Sequence, residues 1–338
     1  MTDARGQVVN ILFIGGTGII SSASVELALE RGWAVSVLNR GRSGSPPAGC
    51  RQLRADIRDR EQAAEVLGKL EFDAVLDFMS FVPEHVETAI DLFAGRCGQY
   101  VFISSASAYQ TPPDRLPITE ETPLDNPFWA YSRDKIACEE RLRAEMARGF
   151  PVTIVRPSHT YGRQRFPFDG GYTVLHRIRR GKPVVLPGDG TSVWTLTHAR
   201  DFAVGLLGLL GQPAALGEAV HITNDEWLTW NGIFRTLGEH LGREPLLAHL
   251  PSAVVAQSDA ALGAGWLGDK AHSMIFDNAK IRRLAPDFRP AIPFAQGAKD
   301  IVDWYDEDPA RQVVDPACDA LQDRLAALYT RLLDQARG

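Results

Sequence analysis

The first half of the chain alternates short apolar runs with helically spaced ones. Runs rich in β-branched residues stand at positions 8–14, 34–38, 50–55, 74–78, 100–104 and 152–156, and helical patterns lie between them near 22–31, 60–69, 83–94 and 131–148. The runs "VVNILFI" and "DAVLDF" are apolar almost without interruption. A strand covered by helices on both faces needs such a run, because neither face meets water. Strands and helices alternating in this way predict an α/β protein built on a Rossmann-type doubly wound parallel sheet.

After Gly162 the alternation weakens. "FPFDGGYTVLHRIRRGKPVVLPGDG" reads as a loop, a helix and a short strand, "THARDFAVGLLGLLG" as a helix returning to the sheet, and "AVHITN" as another strand. The remainder is mostly helical, punctuated by Pro and Gly. Leu321, Leu325, Leu328 and Leu332 form one helical stripe, which packs in a core or against a second copy of the chain in a homodimer. These patterns predict a dinucleotide-binding domain over residues 1–165 plus about 191–223. A smaller, mostly helical substrate lobe takes 166–190 and 224–338.

Composition narrows the class. A chain of 338 residues exceeds one minimal domain. Its net charge of −6 gives no general attraction for nucleic acid or an anionic membrane. Cys50, Cys97, Cys138 and Cys318 lack Cys-x-x-Cys spacing and read as the reduced thiols of a cytoplasmic protein. The histidines show no ligand spacing, so no metal site is expected. "FAVGLLGLLG" is too short to span a bilayer, and "MTDAR" does not read as a signal peptide.

The turn after the first strand carries the first candidate chemistry. Gly15-Gly16-Thr17-Gly18 leads into Ile19-Ile20-Ser21 at the start of a helix. Backbone N–H groups at a helix start, backed by its dipole, bind a pyrophosphate, and glycines let the phosphates approach. Gly15, Thr17, Gly18, Ile19 and Ile20 are therefore candidate cofactor contacts. Ser21 takes the place of a third glycine. After the second strand an acid would bind the adenosine ribose, yet the chain has Asn39 and Arg40. Asn39 can accept one hydrogen bond, and Arg40 can pair with a 2′-phosphate or stay solvated. NAD and NADP both remain open.

The second candidate is catalytic. "YVFISSASAY" puts Ser104 and Ser105 at the carboxyl end of a central strand, where open sheets bind ligands. "WAYSRDKIACEERL" places Tyr131 and Lys135 one helical turn apart. A phenol is a poor base at neutral pH, but a nearby cation stabilises its phenolate. Such a pair can take the proton of an alcohol as hydride leaves its carbon.

With these stretches in hand, the chain resembles the extended short-chain dehydrogenases/reductases, in particular the nucleoside-diphosphate-sugar epimerase/dehydratase group. The shared marks are "GGTGIIS", "ADIRD", "FISSASAY", "YSRDK", "RPSHTYG" and "GDGTSVWTLTHARD", which run in family order over roughly residues 8–225. The resemblance implies that Ser105 hydrogen-bonds the reacting hydroxyl, that Tyr131 is the acid/base, and that Lys135 also holds the nicotinamide ribose. It places Asp56 and Ile57 beside the adenine, Phe78, Met79 and Ser80 along the cofactor, and Pro157 beside the nicotinamide.

The departures bear on substrate. Family dehydratases carry Asp-Glu where this chain has Ala106 and Ser107, which disfavours dehydration and leaves Ser107 as a substrate contact. His159 stands where sugar-nucleotide enzymes often have Asn, and Trp194 where they often have a diphosphate-binding Arg. A tryptophan cannot pair with phosphate, though its face can stack on a sugar or base. Arg163, Arg165, Arg177 and Lys182 are the nearest other cations in sequence. The leading expectation is an NAD(P)-dependent 4-epimerase of a nucleotide sugar. A second is an NADPH-dependent ketoreductase or dehydrogenase on a carbohydrate-like or natural-product substrate. A third, an RNA-binding relative that has lost its catalytic pair, is disfavoured by Ser105, Tyr131 and Lys135 and by the acidic charge.

Overall fold

A computed structural model describes residues 9–42, 44, 46–164 and 168–337. Val8, in the first expected strand, and Arg165 lie outside the described residues. In chain order the first elements are β1 (Asn10–Ile14), α1 (Ile19–Glu30), β2 (Ala34–Asn39), β3 (Arg51–Arg54), α2 (Arg60–Leu67), β4 (Ala74–Asp77), α3 (Pro83–Phe93), β5 (Tyr100–Ile103), α4 (Ala130–Met146) and β6 (Val152–Pro157). Then come β7 (His159–Tyr161), α5 (Thr173–Arg180), β8 (Val184–Pro187), β9 (Val193–Trp194), β10 (Leu196–His198), α6 (Ala199–Gly208) and β11 (Ala219–Ile222). The chain ends with β12 (Leu228–Thr229), α7 (Trp230–His240), β13 (Leu247–Leu250), α8 (Ser252–Ser258), α9 (Ala260–Gly265), α10 (Ala279–Leu284), α11 (Phe294–Glu307) and α12 (Pro316–Arg337).

Seven strands form one parallel sheet in the order β11–β6–β5–β4–β1–β2–β3. Leu12 lies opposite Ser36 on one side and Val75 on the other. Residues 11–14 of β1 are wholly buried and divide by parity. Ile11 and Phe13 join Val25, Phe202 and Leu206 in the core under α1 and α6, while Leu12 and Ile14 join Val86, Phe93 and Leu142 under α2, α3 and α4. A continuous apolar run is what a two-sided period of two requires. The chain builds outward from β1 through β2 to β3, then crosses back to β4. The crevice at that reversal, outside the carboxyl ends of β1 and β4, is where open α/β sheets take ligands.

The remaining elements build two further cores. Tyr161, Leu175, Leu186, Trp194, Trp230, Phe234 and Ile301 share one, and Val185, Leu250, Trp266 and Leu325 the other. This region is less purely helical than expected. β7 pairs with β10, β9 with β12, and β8 with β13. The strands that the pattern missed are two to four residues long, too short to show a period. The leucine stripe of α12 divides: Leu325 is buried, Leu321 packs on its core, and Leu332 is 41% exposed. Among the described residues no helix is long and apolar enough to cross a membrane, and no cluster of His, Cys, Asp and Glu could hold a metal ion.

Candidate active site

The turn after β1 is shaped by two glycines. Gly15 and Gly16 have φ of +113° and +86°, and a Cβ on Gly16 would lie 2.7 Å from Cγ1 of Val37 on β2. The turn is thus pressed against the neighbouring strand, and only glycine fits. Gly18 caps α1, and its N–H donates to Oγ of Ser21 at 2.8 Å. The serine in the third-glycine place caps the helix and is itself buried. Gly15, Thr17, Gly18, Ile19 and Ile20 line one wall of a cleft of about 910 Å³. Phe78 and Met79 line it beyond β4, and Ser104, Ser105, Tyr131, Lys135 and Pro157 line its far end. A bare glycine turn feeding a helix N-terminus, in a cleft of this size, fits a dinucleotide.

The other expected cofactor residues stand outside that lining. Asn39 Oδ1 accepts the Gly41 N–H at 2.9 Å and a Gln52 amide hydrogen at 3.4 Å, so it shapes its own turn. Arg40 lies 3.7 Å from the Asp56 carboxylate, both partly exposed, and Arg54 packs against Gly41. Asp56 also accepts the Arg58 N–H, and Ile57 is buried. Ser80 turns inward and donates its hydroxyl to Asp77 at 2.6 Å, beside the Tyr100 hydroxyl on the same carboxylate.

Tyr131 and Lys135 stand one turn apart on α4. Lys135 Nζ donates to the carbonyls of Ser80 (2.7 Å) and Ile103 (2.8 Å), which leaves one N–H toward the cleft. It also sits over the rings of Phe81 and Phe102 at 4.7 and 4.8 Å. Burial pulls the Lys135 ammonium down to about 8. Burial pushes the Tyr131 phenol up to about 12, while the Ser105 hydroxyl beside it works the other way and Asp269 adds to the rise. Ser105 Oγ lies 2.9 Å from Ser107 Oγ and accepts the Ser107 N–H; Ser132 donates to Ser107 Oγ at 2.8 Å. One turn further along α4, Glu139 accepts Ser104 Oγ (2.6 Å) and two bonds from Arg156 (2.9 and 2.5 Å), a fully buried pair that ties the helix to β5 and β6.

On the side away from the sheet, His159 Nε2 meets the Asp269 carboxylate at 2.7 Å, and its ring stands edge-on to Trp194. Asp269 belongs to a π-helical turn, Trp266–Lys270. Burial alone would raise its carboxyl, but His159 and Lys270 hold it below the usual range. Trp194 is buried, and its indole N–H has no hydrogen-bond partner among the described residues. Asn126 Nδ2 donates to the carbonyls of Ser107 and Gly268, while its Oδ1 accepts the N–H of Phe128 and Trp129 at the start of α4. One amide therefore joins the serine turn, α4 and the π-helical turn. Next to the π-helical turn lies a second cavity of about 360 Å³, whose charged lining among the described residues is Asp169, Lys270 and Asp315.

The expected diphosphate cations are mostly engaged. Arg177 and Lys182 both pair with Asp319 and Asp323, and Arg163 lies over the Trp304 ring. His198 caps α6, and Asp201 accepts the N–H groups of Ala291 and Ile292, so both are structural. Asn126, Trp129, Asp269 and Lys270 escaped the sequence reading. Asn126-Pro127 is a turn signal, but nothing in "WLGDKAHS" marks Asp269 as facing the site.

The chain is similar to several known proteins. A chloroplast stem-loop binding protein of 41 kDa from Arabidopsis thaliana is 27% identical over 255 residues, 71% of this chain and 65% of its own length, so the match spans slightly under two thirds of that relative. A 2'-dehydrokanamycin reductase from Streptomyces kanamyceticus is 28% identical over 291 residues, 84% of this chain and 81% of its own. A UDP-glucose 4-epimerase from Bifidobacterium longum, solved with NAD+ and UDP, shares the fold at a TM-score of 0.72 and 17% identity, over 88% of this chain and 98% of that one. The sequence model of the NAD dependent epimerase/dehydratase family matches residues 11–223, well over half of the chain, and the chain belongs to that family, an enzyme group of the extended short-chain dehydrogenase/reductase type.

Proposed function

We propose that this chain interconverts a secondary alcohol and a ketone on a carbohydrate-like ring that carries no diphosphate, with NADP as the preferred cofactor. The observation that carries this reading is the charge of the 360 Å³ cavity beside the π-helical turn, which we take as the substrate pocket. Lys270 is paired with Asp269, Arg177 and Lys182 with Asp319 and Asp323, Arg163 lies over the Trp304 ring, and among the described residues Asp169 and Asp315 leave the lining of the 360 Å³ cavity acidic. A nucleoside diphosphate would be repelled there, whereas a neutral polyol or an amino sugar would not. The relative named 2'-dehydrokanamycin reductase supports the same substrate class. This reverses the order of the two leading expectations from sequence.

In this reading residues 166–190 and 224–338 supply the substrate lobe, with His159, Trp194 and Ser107 on its border. The glycine turn and the start of α1 hold the pyrophosphate, Arg40 the 2′-phosphate, and Phe78, Met79 and Pro157 flank the nicotinamide end. The cofactor, when bound, supplies or accepts the hydride. Tyr131 carries the proton to or from the reacting oxygen, Ser105 hydrogen-bonds that oxygen, and Lys135 favours the phenolate with its remaining N–H.

The test is a panel of ketones offered with NADPH and NADH: amino-sugar, neutral polyol and nucleotide-sugar forms. The expected result is net NADPH oxidation with the first or second group, slowed on the order of 10²–10⁴-fold by Tyr131→Phe with cofactor binding retained. The nucleotide-sugar epimerase reading keeps one supporting observation, since Lys270 pairs with Asp269, the partner of the His159 ring that stands against Trp194. Conversion of a UDP-sugar to its 4-epimer without net cofactor turnover, or salt-sensitive calorimetric binding of UDP, would favour that reading and sink ours.

A further inference from the structure

Three serine hydroxyls run in a line away from the Tyr131 site, and their hydrogens can be counted. Ser132 Oγ donates to Ser107 Oγ at 2.8 Å. Ser107 Oγ lies 2.9 Å from Ser105 Oγ, and the Ser107 N–H also points at Ser105 Oγ, at 3.2 Å. Ser107 and Ser132 are buried, whereas Ser105 lines the cleft. A hydroxyl has one hydrogen and accepts two bonds. If Ser105 donated to Ser107, the Ser107 hydrogen would be left without an acceptor in the interior, an expensive arrangement. With Ser132 already donating to Ser107, the cheaper arrangement has Ser107 donate to Ser105. Both acceptor positions of Ser105 are then filled, and its one hydrogen has nowhere to go but the cleft.

We infer that Ser132 and Ser107 are positioning residues that lock Ser105 as an obligatory hydrogen-bond donor toward the Tyr131 phenol oxygen and the substrate oxygen beside it. This changes the expected part of Ser107, which reaches the reaction through Ser105 rather than by touching substrate. It rests on the roles of Tyr131 and Ser105 proposed above. A donor that cannot turn away favours charged oxygen over neutral oxygen, which is what a phenolate base and a forming alkoxide both need. Asn126 holds the same turn through the Ser107 carbonyl, so the direction of the chain is fixed together with the start of α4.

The experiment needs no substrate. The full chain, loaded with oxidised NADP, is labelled with ζ-¹³C tyrosine, and the Tyr131 signal is assigned by its loss in Tyr131→Phe. The groups facing Tyr131 are Lys135 and Cys138 on its own helix, Asp269 from the π-helical turn and Ser105 from the end of β5; the variants leave every charge among them unchanged. Ser107→Ala empties one acceptor position of Ser105, which can then turn and accept from the Tyr131 phenol instead of donating to its oxygen. We expect the Tyr131 midpoint to rise by about one unit, tenfold less phenolate at a given pH. Ser105→Ala should raise it at least as far, and Ser107→Thr, which keeps the hydroxyl, should leave it at the wild-type value. Circular dichroism and cofactor affinity should stay at wild-type levels throughout. A shift in Ser105→Ala with none in Ser107→Ala overturns the relay alone. No shift in Ser105→Ala overturns the relay and the Ser105 role together.

Discussion

Arg156→Met would leave the Glu139 carboxylate buried with the Ser104 hydroxyl and an outlying Arg143 to answer its charge. Arg156 is 1% exposed and Glu139 not at all, and two short bonds join them. Breaking a buried pair from one side costs about 3–5 kcal/mol, mostly because the remaining charge is stranded. Arg143, at 3.3 Å and 45% exposed, relieves part of that, so we expect the low end, about 3 kcal/mol. Methionine keeps a contact with the Tyr109 ring over which the guanidinium now sits at 4.7 Å, so lost packing adds little. The double variant Arg156→Met/Glu139→Leu removes both charges and orphans only the Ser104 hydroxyl, a cost of about 1 kcal/mol. Urea unfolding of the three proteins gives the comparison. If the double variant is as unstable as the single one, the cost lies in packing or sheet geometry, and the stranded-charge argument fails.

Other consequences can be measured independently. Gly16→Ala forces a Cβ against Val37 at a φ of +86°, so it should lower stability by about 1–3 kcal/mol and abolish tight cofactor binding; calorimetry showing normal affinity would count against the turn as the pyrophosphate site. Arg40→Ala should weaken NADP about tenfold and spare NAD, as for the loss of one charge-assisted bond; equal losses for both would show that Arg40 merely pairs with Asp56. Lys135 gives a pH signature. Its ammonium titrates near 8 in the folded chain and near 10.4 when unfolded, so between those values the unfolded chain binds the extra proton. Stability of the wild type relative to Lys135→Met should therefore climb from pH 8 to 10, by up to about 3 kcal/mol, and a flat difference would mean that the lysine is not desolvated.

What the sequence made legible was whatever repeats or carries a type-specific constraint. The sheet could be read because β1, β4 and their neighbours are buried on both faces, and the glycine turn because positive φ admits little else. Tyr131 and Lys135 were readable because an i, i+4 pair is local. The substrate side was not, because it is assembled across long separations: Asp269 meets His159 from 110 residues away, and Asn126 reaches Gly268 from 142. Nor could the sequence show that Arg177 and Lys182 are spent on α12, since charge alone does not reveal its partner. The serine chain has the same character, with local residues whose meaning depends on which hydrogen points where.

The order of strands also has a consequence for synthesis. β6 is complete at Pro157, but its outer neighbour β11 begins only at Ala219, after the chain has left to build β7 through α6. Those roughly 60 residues take about 3–12 s to emerge at translation rates of 5–20 residues per second. Throughout that interval a nascent sheet with an intact glycine turn presents the bare N–H and C=O row of β6. An open strand edge of this kind templates pairing with other chains. A fragment ending in this window would carry the whole glycine turn and the Tyr131 helix, yet would behave as an aggregating species rather than as a free-standing folded module.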